Sequence, residues 1–267
     1  MLSLKSERWD DGLIAAHMTT PGIRCVCYTD GLYVLRLFGD SPENERLWLF
    51  RILRFLGAPA GFQVNWWRFP ADRIVAGGQF PTRAQVNGGW TYRNSNEIYI
   101  FRIEEWDRVL IHECIHALNW DATILDSTKT CLEGSVGGGS LMPAIFEAAT
   151  ELNAEWLWSI IHSPVDDYAG LTWQKQRAWQ EKQCIAILAR APTPWVEDTS
   201  VFAYYVLKTA LAADMSAFLL EWLAGTLSSE RWCDIWLSKR DAFAAAAKNI
   251  DTSATLSTRM SSPEIAP

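Results

Sequence analysis

Hydrophobic and polar residues follow two different periods along this chain. Up to about residue 102 they mostly alternate, as in strands with one buried face, whereas beyond residue 142 apolar residues recur every three or four positions, as in amphipathic helices. We therefore expect a β-hairpin at 23–38 that turns at Asp30-Gly31, strands at 62–70, 85–93 and 97–102, and helices at 41–57, 142–162, 173–190, 199–212, 214–226 and 228–248. Ser41 is expected to cap the first helix, and Gly57 to follow its end.

This pattern predicts an α+β fold whose N-terminal sheet is antiparallel or mixed. Residues 1–126 form the expected strand-rich subdomain, and residues 127–252 the helical one. Residues 253–267 are rich in Ser, Thr and Pro, which favours a disordered tail. Residues 121–140 are glycine-rich without the spacing of a phosphate-binding loop, and we expect them to form a mobile flap.

Composition narrows the function classes. The 267 residues carry a net charge of −7 and no basic run, which argues against nucleic acid as a partner. No apolar stretch approaches the roughly 18 residues of a membrane span, and the N-terminus lacks the pattern of a signal peptide. The six cysteines show no C-x-x-C spacing, so we expect reduced thiols and an intracellular, cytoplasmic location.

One pentapeptide points to chemistry: His112-Glu113-Cys114-Ile115-His116, an HExxH motif that holds two of the four histidines. On a helix, residues i and i+4 lie on the same face, so both imidazoles can bind one Zn²⁺. Glu113 then lies beside the metal-bound water rather than the metal. Cys114 points to the core side of the helix and is a poor ligand. The alternative is an ordinary amphipathic helix whose two histidines are satisfied in the interior.

A catalytic zinc site needs a third protein ligand. Glu147, Glu151 and Glu155 repeat every four residues along the predicted helix 142–162 and would repel one another, which suggests a cation opposite them. A solvated face of a surface helix is the alternative explanation of this stripe. His17 and His162 remain possible ligands.

The HExxH motif followed by this glutamate helix resembles the gluzincin branch of the zincin metallopeptidases. The resemblance implies a zincin-like fold, a Zn²⁺ cofactor, Glu147 as the third ligand and Glu151 as a hydrogen-bond partner of a ligand histidine. A register shifted by one turn, with Glu151 as ligand and Glu155 as partner, fits almost as well. The segments "VNGGWTYR", "FEAATELNAEW" and "VFAYYVLK" are also similar to uncharacterised metallopeptidases of large eukaryotic DNA viruses, which suggests a viral, virion-associated chain.

We expect such an enzyme to hydrolyse peptide bonds, with Glu113 as the general base towards a zinc-activated water. Tyr204 or Tyr205 would donate a hydrogen bond to the oxyanion, although core packing explains this tyrosine pair equally well. An extended substrate would pair with the edge of strand 97–102, and Gly88-Gly89 would allow its backbone to approach closely or would form a plain turn.

Three other functions fit parts of the pattern. A zincin-like structural or assembly protein would bind zinc without catalysis, and a zinc hydrolase could act on a substrate other than a peptide. The helical half alone would suit an interaction module. An intact HExxH favours the enzyme, because a structural zinc site has no use for Glu113. Its partner is then a peptide or protein substrate, while the oligomeric state is left open.

Overall fold

The structure of the chain, a computed structural model, has an α+β architecture, as the hydrophobic pattern predicts. It describes Gly12 and residues 19–121, 145–164, 166–167, 170–226 and 229–265. The residues outside this description include His17, Cys131, all of the expected flap at 121–140 except Asp121, and the predicted subdomain boundary after residue 126.

The strands are short, and most of the helices lie in the second half of the chain. The strands are β1 (Cys25–Thr29), β2 (Val34–Phe38), β3 (Gln63–Trp67), β4 (Ile74–Val75), β5 (Gly89–Thr91), β6 (Glu97–Ile100) and β7 (Leu256–Ser257). The helices are α1 (Glu43–Phe55), α2 (Arg83–Val86), α3 (Trp106–Ala117), α4 (Ile145–His162), α5 (Leu171–Arg190), α6 (Lys208–Leu211), α7 (Met215–Ala224) and α8 (Ser229–Ala247), with a π-helix at Phe202–Leu207.

Backbone contacts divide the chain into two units. The first comprises residues 1–72 and 87–120, and the second comprises residues 73–86 and 121–267. Residues 73–86, which we expected in the N-terminal part, therefore belong with the helical half.

The first unit is built on a mixed sheet with the strand order β1-β2-β3-β6-β5. The pairs β1–β2 and β5–β6 are antiparallel, whereas β2–β3 and β3–β6 are parallel. A parallel pair needs a crossover connection, and α1 lies in the one between β2 and β3. The strand that precedes α3, β6, lies between β3 and β5. The prediction that a peptide pairs with the edge of strand 97–102 is wrong, because β5 pairs with β6 there, and β5 is the edge strand among the described residues.

The hairpin β1–β2 confirms the alternating pattern but has a longer turn than expected. Thr29 pairs with Val34, so four residues connect the strands instead of two. The Asp30 carboxylate accepts hydrogen bonds from the backbone N–H groups of Leu32 and Tyr33, which closes the wider turn.

Two other local predictions need correction. Helix α1 begins at Glu43 after Pro42, and no side chain caps it; Ser41 instead donates to the Glu45 carboxylate at 2.8 Å. Gly57 follows the helix with a left-handed φ of 66°, as expected. The predicted strand 85–93 is divided, since its first residues belong to helix α2 and only Gly89–Thr91 pair with β6.

Part of the core of the first unit lies between its sheet and α3. Helix α3 packs against β5, β6 and α1. Burying each large aliphatic or aromatic side chain contributes about 1.5–3 kcal/mol, which fixes α3 over the sheet. The fully buried apolar strand side chains are Leu35, Val64, Trp66, Ile98 and Ile100.

The second unit packs its helices around an apolar core and holds the C-terminal segment against them. Strand β7 pairs with β4, Gln176 of α5 donates to the Met260 carbonyl at 2.7 Å, and Trp179 donates to the Arg259 carbonyl at 3.0 Å. Thr258 is fully buried. The prediction of a disordered tail is therefore wrong for residues 253–265.

Thiol chemistry departs from expectation at one position. Cys25, Cys27, Cys114 and Cys184 are free thiols, but Cys233 is disulfide-bonded. The expectation of reduced thiols is wrong for Cys233. Because disulfides are typical of oxidising compartments, the cysteines do not support the intracellular location that we inferred from them. None of the helices within the described ranges combines the length and apolar character needed to cross a bilayer.

Candidate metal centre

The HExxH motif lies on α3, which begins at Trp106. Glu105 precedes the helix in a left-handed conformation with a φ of 59°. Asp107 is the acidic residue of the first turn and lies near the positive end of the helix dipole.

The end of α3 is fixed just after the second histidine. Asn119 adopts a left-handed φ of 60°, and its N–H donates to the His116 carbonyl at 3.0 Å. The N–H of Trp120 donates to the Ile115 carbonyl at 3.0 Å, which completes a Schellman-type ending. These two bonds hold the backbone of the turn that carries His116.

The two imidazoles converge on one point. The Nε2 atoms of His112 and His116 lie 3.1 Å apart, and their ring planes are inclined by 77°. Two nitrogens bound to one tetrahedral Zn²⁺ at 2.0–2.1 Å would be separated by about 3.3 Å. The pair therefore has nearly the spacing that a shared zinc ion requires. The same distance suits an N–H···N hydrogen bond between neutral rings when no ion is bound.

Glu113 lies between these two histidines in sequence and is 6% exposed. Strand β5 passes directly against it: a Cβ atom on Gly89 would lie 3.1 Å from the Glu113 Cγ and 2.7 Å from the Tyr99 carbonyl oxygen. Only glycine fits at this position. We expected the glycine pair to admit a substrate backbone or to form a turn, but Gly89 serves the close packing of β5 against Glu113 and β6.

Cys114 faces the core, as predicted. Its side chain is fully buried, and burial, followed by the nearby Glu113 charge, raises the pKa of its thiol far above the ordinary value. A thiol that stays protonated is a poor metal ligand. Cys114 is therefore a packing residue within the motif.

In the second unit, α4 carries Glu147 in its first turn. The hydroxyl of Tyr204, on the π-helix, donates to the Glu147 Oε2 at 3.0 Å, and both side chains are half-buried. Within the part of the chain that is described, His112, His116 and Glu147 are three side chains that could hold a metal ion. Two imidazole nitrogens and a carboxylate oxygen suit zinc by their chemistry.

Glu151 and Glu155, the other members of the stripe, face a cation of the protein itself. Lys208 pairs with the Glu155 carboxylate and lies 3.7 Å from the Glu151 Oε1. Gln180 of α5 donates to the second oxygen of Glu155. All of these side chains are buried, so the alternative of a solvated face is wrong. The shifted register, with Glu151 as ligand and Glu155 as its partner, would place the metal where Lys208 already pairs with both.

Two further candidates are engaged elsewhere. Tyr205 is 1% exposed and donates to the Thr258 carbonyl at 2.7 Å, so it belongs to the packing of the C-terminal segment. The His162 ring stacks on Trp158 at 4.3 Å, and its Nδ1 lies 2.9 Å from the Trp158 carbonyl oxygen. Neither residue joins the group of three metal-ligating side chains.

Sequence reasoning missed Lys208, Gln180 and the contact of Gly89 with Glu113. One signal for Lys208 was present, because it follows Tyr204 by four residues and so repeats the spacing of Glu147 and Glu151. Comparison with models of protein families, with curated proteins and with solved structures finds no match to this chain.

Proposed function

We propose that this protein is a zinc-dependent metallopeptidase of the gluzincin type, with a zincin-like arrangement of sheet, HExxH helix and glutamate helix. The observation that carries the proposal is the 3.1 Å spacing of the His112 and His116 Nε2 atoms on a helix whose ends are fixed. His112, His116 and Glu147 would hold the ion. The zinc would lower the pKa of a bound water towards neutrality and polarise the scissile carbonyl.

The donor set favours a catalytic over a structural site. The three candidate ligands among the described residues leave room for a further ligand, whereas structural zinc sites have four. Two neutral imidazoles and one carboxylate also leave a net positive charge at the metal. Cys114 cannot provide the fourth protein ligand, because it points into the core.

Glu113 is the general base in this proposal. It follows the first ligand directly and is held by Gly89 and the sheet. Its carboxylate takes a proton from the attacking water and transfers it to the departing amine, so that the peptide nitrogen leaves as a neutral group. The burial of Glu113 keeps bulk water from competing for that proton.

We propose that the substrate is an extended peptide. Among the described residues β5 is the edge strand of the sheet, and it packs against α3, so an extended peptide added to this edge would lie near Glu113. Antiparallel addition to such an edge binds a main chain independently of its sequence. We therefore propose that the peptide pairs with β5 and not, as expected from the sequence, with β6, which β5 covers.

The variant Glu113→Gln tests this function. It keeps the shape of the side chain but cannot accept a proton, so we expect peptide turnover to fall by about 10²–10⁴-fold while zinc binding is retained. Turnover of a fluorogenic peptide library and the zinc content are measured on the same samples. Glu181→Gln, an exposed acid on α5, is the control and should match the wild type.

Undiminished turnover in Glu113→Gln, with zinc present, would contradict the role of Glu113. Stoichiometric zinc in a wild type that cleaves no peptide would instead favour the structural or assembly protein.

A further inference from the structure

The π-helix Phe202–Leu207 is anchored from two sides. Tyr205 donates to the Thr258 carbonyl at 2.7 Å, and its own carbonyl accepts from the Thr209 hydroxyl at 2.6 Å. Directly after the π-helix, Lys208 pairs with the buried Glu155 of α4. π-Helical turns are rare and occur often at functional sites. In this π-helix the hydrogen bonds of Tyr205 fix the backbone, and the side chains of Tyr204 and Tyr205 lie on different faces.

Tyr204 is the half-buried member of the tyrosine pair, and its hydroxyl reaches Glu147. A glutamate side chain on a helix has several rotamers, and both of its oxygens are able to bind a metal. A hydrogen bond to Oε2 restricts the carboxylate to one orientation and occupies one oxygen. Oε1 would then be the oxygen that binds the metal.

We propose that Tyr204 is a positioning residue that orients Glu147 as a metal ligand through one oxygen. The inference rests on the proposed zinc site and replaces the oxyanion role that we expected for this tyrosine. Partners that orient ligands in this way typically contribute 10–100-fold to metal affinity. A donor to the oxyanion would contribute instead to turnover, by about 10²–10³-fold.

The variant Tyr204→Phe separates the two roles, because it removes the hydroxyl and keeps the ring. Zinc affinity is measured on full-length protein by competition with a chromophoric chelator, and kcat is measured at saturating zinc. We expect zinc to bind 10–100-fold more weakly, with kcat within about threefold of the wild type. Tyr204→His, which retains a ring N–H donor, should recover part of the affinity.

Tyr205→Phe is the matched control, since it removes a hydroxyl from the adjacent position of the same π-helix. Its loss of the bond to Thr258 should lower the melting temperature of the metal-free protein and leave zinc affinity unchanged. The melting temperature of Tyr205→Phe thus shows how much destabilisation zinc binding tolerates. If Tyr204→Phe melts at the same or a higher temperature but binds zinc more weakly, its loss of affinity is not a consequence of unfolding.

Equal zinc affinity of Tyr204→Phe and wild type would overturn this inference alone. So would a 10²–10³-fold loss of kcat at unchanged affinity, which would return Tyr204 to the oxyanion role. A wild type that binds no zinc would overturn the proposed function itself, and it would be seen before any variant is compared.

Discussion

Gly89 and Glu113 lie 24 residues apart in sequence and in contact in the folded first unit. The contact restricts the side chain proposed as the general base, because the backbone of β5 occupies the space beside its Cγ. Glu113 therefore has a defined position even before substrate is present, which is what proton transfer within hydrogen-bond reach demands.

Gly89→Ala tests this restriction. The added methyl would meet the Tyr99 carbonyl oxygen at 2.7 Å and the Val109 Cγ1 at 2.8 Å, so β5 and Glu113 must shift. We expect a loss of about 1–3 kcal/mol in the free energy of unfolding and a fall in kcat larger than the change in KM. Urea unfolding and steady-state kinetics of peptide cleavage measure the two effects.

Gly57→Ala is the matched control for that experiment. Gly57 has a left-handed φ of 66° with open space around it, so alanine there costs backbone strain of about 1 kcal/mol without touching the site. It should destabilise the protein and leave kcat unchanged. A Gly89→Ala protein with the wild-type kcat would show that Glu113 does not depend on this packing.

At the residue scale the sequence was sufficient for the motif and insufficient for its surroundings. The HExxH spacing is local, so the facing of His112 and His116 follows from helix geometry alone. The close packing of Gly89 depends on how a strand packs on a helix, which hydrophobic periodicity does not specify. The same limit explains why Tyr204 and Tyr205 could not be separated until their hydroxyl partners were known.

At the element scale, helix α4 likewise has features that the sequence predicts and partners that only the structure shows. Its carboxylate stripe was visible in the sequence, and the inference of a cation opposite was correct in kind. The cation facing Glu151 and Glu155 is Lys208, which comes from an element 53 residues further along. Glu147 is the remaining member of the stripe and the one that we propose as a metal ligand.

Lys208→Met should therefore destabilise the second unit strongly. Removing one partner of a buried ion pair leaves an uncompensated charge and typically costs about 3–5 kcal/mol. The double variant Lys208→Met with Glu155→Gln removes one of the two carboxylate charges that Lys208 faces and should recover part of that loss. Urea denaturation at neutral pH compares the free energies of unfolding.

Lys182→Met, at an exposed position of α5, controls for the loss of a lysine charge and should change stability by less than about 0.5 kcal/mol. If Lys208→Met were as stable as this control, the buried network would not be an ion pair that the fold requires. A double variant no more stable than Lys208→Met alone would point to lost packing of the lysine stem instead.

Helix positions in the second half could be predicted closely, because five amphipathic segments were marked by period and by flanking Gly or Pro. The π-helix could not be predicted, because the spacing of apolar residues in 199–212 fits an α-helix equally well. The turn after β1 was mispredicted for a related reason: the Asp30 side chain closes a wider turn than Asp-Gly usually forms.

For the whole molecule, composition was a poor guide to the C-terminal segment. Its Ser/Thr/Pro content favoured disorder, yet the backbone carbonyls of Ser257, Arg259 and Met260 accept hydrogen bonds from Gln183, Trp179 and Gln176 of α5. The donors that order the segment lie about 80 residues earlier, beyond the reach of local composition.

Strand order was equally hidden from the sequence. The alternation of residues 97–102 predicted the strand but not its neighbours, and the sheet places β6 inside and β5 at the edge. Order within a mixed sheet depends on crossover connections and not on the pattern of any one strand. This difference moves the proposed peptide-binding edge by one strand.

Zinc binding by the full-length protein tests the central claim most directly. Metal-free protein is titrated with Zn²⁺ against a chromophoric chelator, for the wild type and for His112→Gln, His116→Gln and Glu147→Gln. We predict one tightly bound ion per wild-type chain and a large loss of affinity in each variant, because each removes one of three ligands. A wild type that binds no zinc, or histidine variants that bind it as tightly, would contradict the account.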